Sequence, residues 1–161
     1  MERLWAPWRM EYITEEPRPG CLFCRVIEDP ADRDAALVVW RPEGAVVLLN
    51  KYPYNPGHVM VAPVAHVGNL EDLDDAQTAD LMRALKRTIT VLKKTLKPEG
   101  FNVGANIGRV AGAGMPDHVH LHVVPRWNGD TNFMPVLGEV KVINEHLTQT
   151  AAKLSEAFSS S

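Results

Sequence analysis

The stretch His118-Val-His-Leu-His-Val-Val-Pro125 decides how the rest of the chain is read. Side chains of an extended strand alternate between the two faces of a sheet. Read as a strand, residues 118–125 place His118, His120 and His122 on one face and Val119, Leu121 and Val123 on the other. The apolar set anchors the strand in a core, while the imidazoles stand about 7 Å apart along a rigid backbone. Half of the six histidines fall within these five positions, so random surface placement accounts for the run poorly. Two readings then compete. Neutral imidazole is a common metal ligand. It is also a nucleophile, a proton carrier and a hydrogen-bond donor, the set that phosphoryl chemistry needs around one reacting atom. The preceding Gly108-Arg-Val-Ala-Gly-Ala-Gly114 is able to bring backbone N–H groups up to phosphate oxygens, or is an ordinary flexible connection.

Working outward, three short runs rich in β-formers occupy residues 36–40, 45–49 and 58–62, separated by Pro42-Glu-Gly44 and by Tyr52-Pro-Tyr-Asn-Pro-Gly57. Connections this short favour antiparallel neighbours. The spacing of Leu81, Leu85, Ile89, Leu92 and Leu96 predicts a helix over 74–97, opened by an Asp74/Gln77 capping box and closed by Pro98-Glu-Gly100. Residues 101–106 read as a fourth strand and 118–125 as the fifth. A last helix is expected near 140–158, with Ile143, Leu147, Ala151, Leu154 and Phe158 on one face and His146 on the polar side. Grouped strands followed by helices give an α+β fold with an antiparallel sheet rather than a doubly wound one. Residues 1–20, with Trp5, Trp8 and Tyr12, read as an arm packed on a single domain over 21–158, and 159–161 as a disordered tail.

The 161 residues suit one domain with a true core. With 45% apolar residues and a net charge of −3, the chain lacks the basic face of a polyanion-coating protein, so a nucleic-acid partner is not expected. No run approaches the roughly 18 apolar residues of a membrane span. The start MERLWAPWRMEY has no apolar signal region. The only cysteines, Cys21 and Cys24, are too close in sequence to staple distant elements. A reducing cytoplasm is therefore expected. Cys-x-x-Cys is half of a zinc site, with redox chemistry as the rival, but an irregular arm precedes it instead of the βα context of a thioredoxin-type motif.

The run 118–124 resembles the His-φ-His-φ-His-φ-φ signature of the histidine-triad family at every position. The similarity extends to Leu49-Asn-Lys-Tyr-Pro-Tyr-Asn-Pro-Gly-His-Val-Met-Val61. Leu4-Trp-Ala-Pro-Trp-Arg-Met-Glu-Tyr12 and Pro125-Arg-Trp-Asn-Gly-Asp-Thr-Asn-Phe133 look like the bacterial branch that contains diadenosine tetraphosphate phosphorylases. The resemblance implies an antiparallel sheet of about five strands with two main helices, joined as a homodimer. It implies His120 as nucleophile on the α-phosphate of an adenosine-containing nucleotide, giving a nucleotidyl-histidine intermediate. It places His122 on the phosphate, with His118 completing the triad. It sets Asn50 at the ribose, Asn106 at the phosphate or leaving group, His58 behind the triad, and Phe23 and Val26 at the base. Gly114 belongs to the loop facing the phosphates. Zinc-bearing relatives imply that His66 and His118 join Cys21 and Cys24 in a closed, structural Cys₂His₂ zinc site. Many hydrolytic members carry Gly-Gln-Ser or Gly-Gln-Thr before the triad. Here Ala113-Gly-Met-Pro-Asp-His118 lacks that Gln, which agrees with phosphate rather than water as acceptor. A nucleoside phosphoramidate hydrolase and a nucleotide-binding adaptor remain the alternatives.

Overall fold

The computed structural model describes residues 19–35, 37–130 and 145–160. The aromatic arm residues Trp5, Trp8 and Tyr12, the segment 131–133 and Ile143 lie outside them. The elements run α1 (Leu22–Glu28), α2 (Ala31–Ala35), β1 (Val38–Trp40), β2 (Ala45–Leu49), β3 (Val59–Pro63), α3 (Asp75–Leu96), β4 (Gly100–Gly104), β5 (Leu121–Arg126) and α4 (Leu147–Ser159). The five strands form one sheet in the order β1-β2-β3-β5-β4, with every pairing antiparallel. The expected α+β architecture is what forms.

Strict alternation builds two cores. Ala45, Val47, Leu49, Val59, Val61, Val119, Leu121 and Val123 pack with Leu81, Leu85 and Leu92 of α3 and with Leu154 and Phe158 of α4. The opposite face carries Val46, Leu48, Met60 and Ala62, covered by Phe23 and Val26 of α1. Register places Met60 opposite His122 and His122 opposite Gly104, so the histidine face continues the row that α1 covers. A Cβ built at Gly104 would meet nothing within 4 Å, which leaves open space beside His122.

The capping box forms in full: Asp74 accepts from the Gln77 N–H at 2.8 Å, and the Gln77 side chain accepts from the Asp74 N–H at 3.1 Å. Lys97 ends α3 in the left-handed region (φ 51°), just before Pro98. Among the described residues no helix is long and apolar enough to cross a membrane.

Several boundaries differ from the sequence expectation. The last helix begins at Leu147, because His146 is extended and serves as its N-cap rather than as a polar-face residue. The apolar spacing of Ile143 and Leu147 does not mark that start. The helix also reaches Ser159, whose hydroxyl bonds the Ser155 carbonyl. Residues 118–120 precede β5 instead of belonging to it. The Val119 N–H is held by the Val67 carbonyl at 2.7 Å, outside the β3 ladder, although Val119 keeps the alternation of the strand.

Candidate active site and metal centre

His120, the middle member of the triad, is buried. It is 5% exposed, and its Nδ1 donates to the backbone carbonyl of His118 at 2.9 Å. In a neutral ring that bond fixes the tautomer and leaves Nε2 as an unprotonated lone pair. Phe23 of α1 backs the ring at 4.8 Å, and the His122 ring lies edge-on at 5.0 Å. Burial holds the pKa of His120 and of His122 below the ordinary imidazole value, and for His122 the neighbouring His120 adds to the shift. Both rings are therefore neutral near pH 7.

The tautomer of His122 follows from a chain of donors. The Tyr54 N–H donates to His58 Nδ1 at 3.0 Å, so neutral His58 carries its proton on Nε2. His58 Nε2 meets His122 Nδ1 at 2.9 Å and donates to it. The His122 proton is then on Nε2, a hydrogen-bond donor alongside a nucleophilic nitrogen. His58 is fully buried, and the half-exposed Tyr54 ring lies 4.6 Å from it.

His118 is used differently. Its Nε2 donates to the Pro63 carbonyl at 2.9 Å, which turns the Nδ1 lone pair toward Cys21 Sγ at 3.3 Å, Cys24 Sγ at 3.7 Å and His66 Nδ1 at 3.2 Å. Cys24 Sγ and His66 Nδ1 are 3.1 Å apart, and all four ligand atoms lie within 4.8 Å of one another. Tetrahedral zinc, with bonds of about 2.0–2.3 Å to nitrogen and sulfur, would separate such ligands by roughly 3.3–3.8 Å. The four residues thus form a cluster of a size and chemistry that fits a metal ion, and the Pro63 carbonyl provides the outer bond that orients a ligating histidine. Burial and the adjacent Cys21 push the Cys24 thiol up to about 11, the opposite of the depressed value of a redox-active cysteine. With both ring nitrogens engaged, His118 meets His120 through its backbone carbonyl rather than its imidazole.

The cysteine pair stands on a helix that the sequence reading passed over. Cys21 is the N-cap of α1 and Cys24 lies in its first turn. The available signal was Phe23, Val26 and Ile27 at spacings of three and one, closed by Pro30. Phe23 and Val26 are 1% and 0% exposed, so they fasten this helix to the sheet. Asn50 follows β2 directly. Its Oδ1 accepts the Tyr52 N–H at 2.8 Å, and its own N–H bonds the His58 carbonyl at 2.9 Å. Asn106 is half-buried two residues past β4, and Gly114 is exposed in the loop before the triad. Asn55 and Asp130, absent from the sequence candidates, are tied to the same loop as His58.

The HIT domain pattern matches residues 33–129. The chain belongs to the HIT family. A Mycobacterium tuberculosis protein named AP-4-A phosphorylase is 42% identical over 164 residues, covering 96% of this HIT chain and 83% of that protein. An adenosine 5'-monophosphoramidase of Schizosaccharomyces pombe is 30% identical, covering 68% of this chain and 76% of its own. Among solved structures, a zinc-bound histidine triad protein from Mycobacterium smegmatis superposes with a TM-score of 0.69 at 26% identity, over 87% of this chain and 94% of that one.

Proposed function

We propose that this HIT protein cleaves dinucleoside polyphosphates by nucleotidyl transfer through His120, with inorganic phosphate as the acceptor. The observation that carries the reading is the bond from His120 Nδ1 to the His118 carbonyl, which leaves Nε2 unprotonated beside the donor nitrogen of His122. Nε2 attacks the α-phosphorus, forming a P–N bond as the P–O bond to the departing polyphosphate breaks. The departing oxygen keeps that electron pair. His122 Nε2–H donates to the developing negative charge, a contact that grows stronger in the transition state. A phosphate oxygen then displaces the histidine, and the P–N electron pair returns to Nε2. His118 acts through its carbonyl as the acceptor that orients the nucleophile. Asn50 is read as the ribose contact, Asn106 and Gly114 as phosphate contacts, and Phe23 and Val26 as the wall behind the base pocket.

Cys21, Cys24, His66 and His118 would hold zinc. As a closed four-ligand site, it would supply structural fastening of α1 to the segment leading into β5.

The similarity to AP-4-A phosphorylase and the missing Gln before the triad favour phosphate over water. Diadenosine tetraphosphate should yield ADP and ATP only when phosphate is present. AMP and ATP released in phosphate-free buffer would replace this reading with hydrolysis, and binding of AMP without turnover of any such substrate would replace it with an adaptor. The monophosphoramidase relative favours a second reading, hydrolysis of a nucleoside phosphoramidate by the same His120 attack. Comparing kcat/KM for the two substrates separates them.

The proposal includes a homodimer. Among the described residues β4 has a strand on one side only, and Val103, Ile107 and Val110 are exposed on it and on the loop that follows. A solution mass near twice 17.9 kDa is expected by light scattering, and a monomer at micromolar concentration would remove this part.

A further inference from the structure

The loop from Asn50 to His58 carries both His58 and the Tyr54 N–H that sets its tautomer, and besides its own internal bonds it is tied to the far end of β5. Asn55 is 4% exposed, and its Nδ2 donates to the Pro125 carbonyl at 2.9 Å and to Asp130 Oδ2 at 2.6 Å. The Asn55 carbonyl accepts the His58 N–H at 3.1 Å. Asp130 is itself gripped by the Arg126 guanidinium, Nε to Oδ2 at 2.6 Å and Nη2 to Oδ1 at 2.8 Å, and accepts the Trp127 N–H at 3.1 Å. Arg126 Nη1 reaches Asn102 Oδ1 on β4 at 2.6 Å. A continuous polar network thus joins the β2–β3 loop to the two strands that flank the site.

We propose that Asp130 is a positioning residue: through Asn55 it holds the Tyr54 N–H on His58 Nδ1, and so keeps the His122 proton on Nε2, facing the substrate phosphate. The Tyr54 N–H belongs to the Pro53–Tyr54 peptide, one residue before Asn55, and Asn55 is held by its side chain on one side and by the turn into His58 on the other. Without the Tyr54 donor, His58 is free to carry its proton on Nδ1. Its Nε2 then accepts from His122 Nδ1–H, and His122 presents a lone pair to an anionic phosphate. One backbone N–H therefore decides whether that side of the site attracts or repels the charge that develops there. This inference rests on reading His122 as the phosphate donor.

The test is nitrogen NMR of the protein labelled with ¹⁵N-histidine, as wild type and as Asp130→Asn, which keeps the size of the side chain. The wild-type spectrum should show His122 protonated on Nε2 with a bare Nδ1. In Asp130→Asn, His58 and His122 should shift to mixed or reversed tautomers. The kcat should fall about tenfold, less than the roughly 10²-fold that complete loss of one positioned proton donor costs because the tautomers shift only in part, with KM changed less than about twofold. A wild-type His122 protonated on Nδ1 overturns the inference without any variant. Unchanged tautomers in Asp130→Asn overturn it whatever happens to the rate. The spectra need no substrate, so correct tautomers in a protein that turns over no dinucleoside polyphosphate would count against the proposed reaction and leave this inference standing.

Discussion

His120→Ala should abolish turnover of dinucleoside polyphosphates, with a fall of roughly 10³-fold or more in kcat, while the chain stays folded and still binds AMP. The loss is large because every covalent step passes through one atom. In the proposed reaction Nε2 forms the bond to phosphorus and later releases it, and the neighbouring His122 is committed as a donor by His58 and does not replace it. The structural cost is smaller. Alanine leaves the His118 carbonyl without its donor and opens space against Phe23, a penalty of about 1–3 kcal/mol. Thermal melting and AMP titration alongside a single-turnover assay separate the two effects. A folded, AMP-binding variant with wild-type turnover would remove His120 from the mechanism.

The second large effect is expected at the metal cluster. The protein as purified should contain about one zinc per chain, following the four-ligand count. Cys24→Ser should lose that metal and lower Tm on the order of 10 °C, as expected for a ligand worth about 4 kcal/mol in a domain of this size. The cluster joins residues 97 apart in the chain, Cys21 and His118, so its loss leaves α1 held to the sheet by Phe23 and Val26 while the sheet's larger core is left in place. Elemental analysis and melting curves with and without a chelator provide the check. Metal-free wild-type protein with an unchanged Tm would sink the assignment.

The sequence displayed those parts of this architecture that depend on local rules. The capping box at Asp74, the apolar stripe along α3 and the two-residue period from Val119 to Val123 each need only neighbours in the chain, and each is found where it was expected. Helix α1 escaped because seven residues give fewer than two turns of periodicity, too little to distinguish a helix from an arm rich in Pro and Trp. The start of β5 was misplaced for another reason. Whether 118–120 pair with β3 depends on Val67 and Pro63, which meet them only in the folded chain.

The chemistry divides along the same line. Three histidines on one face were legible, but their division of labour was not. That division depends on which ring nitrogen is already in use, and the partners lie far off in sequence: 55 residues for His118 and Pro63, 64 for His58 and His122. Asn55 and Asp130 gave no local signal for the same reason, since the bond between them spans 75 positions.

The carbonyl of His118 gives α1 a reach beyond its seven residues. Its ring meets the cysteine pair of α1 as well as Pro63 and His66, and the same residue's backbone aims the imidazole two places on. On the proposed mechanism, mutational drift in that helix, remote in the gene from the histidine run, is screened by the reaction itself. A lineage discarding the cysteine pair would have to find another way to steady its nucleophile.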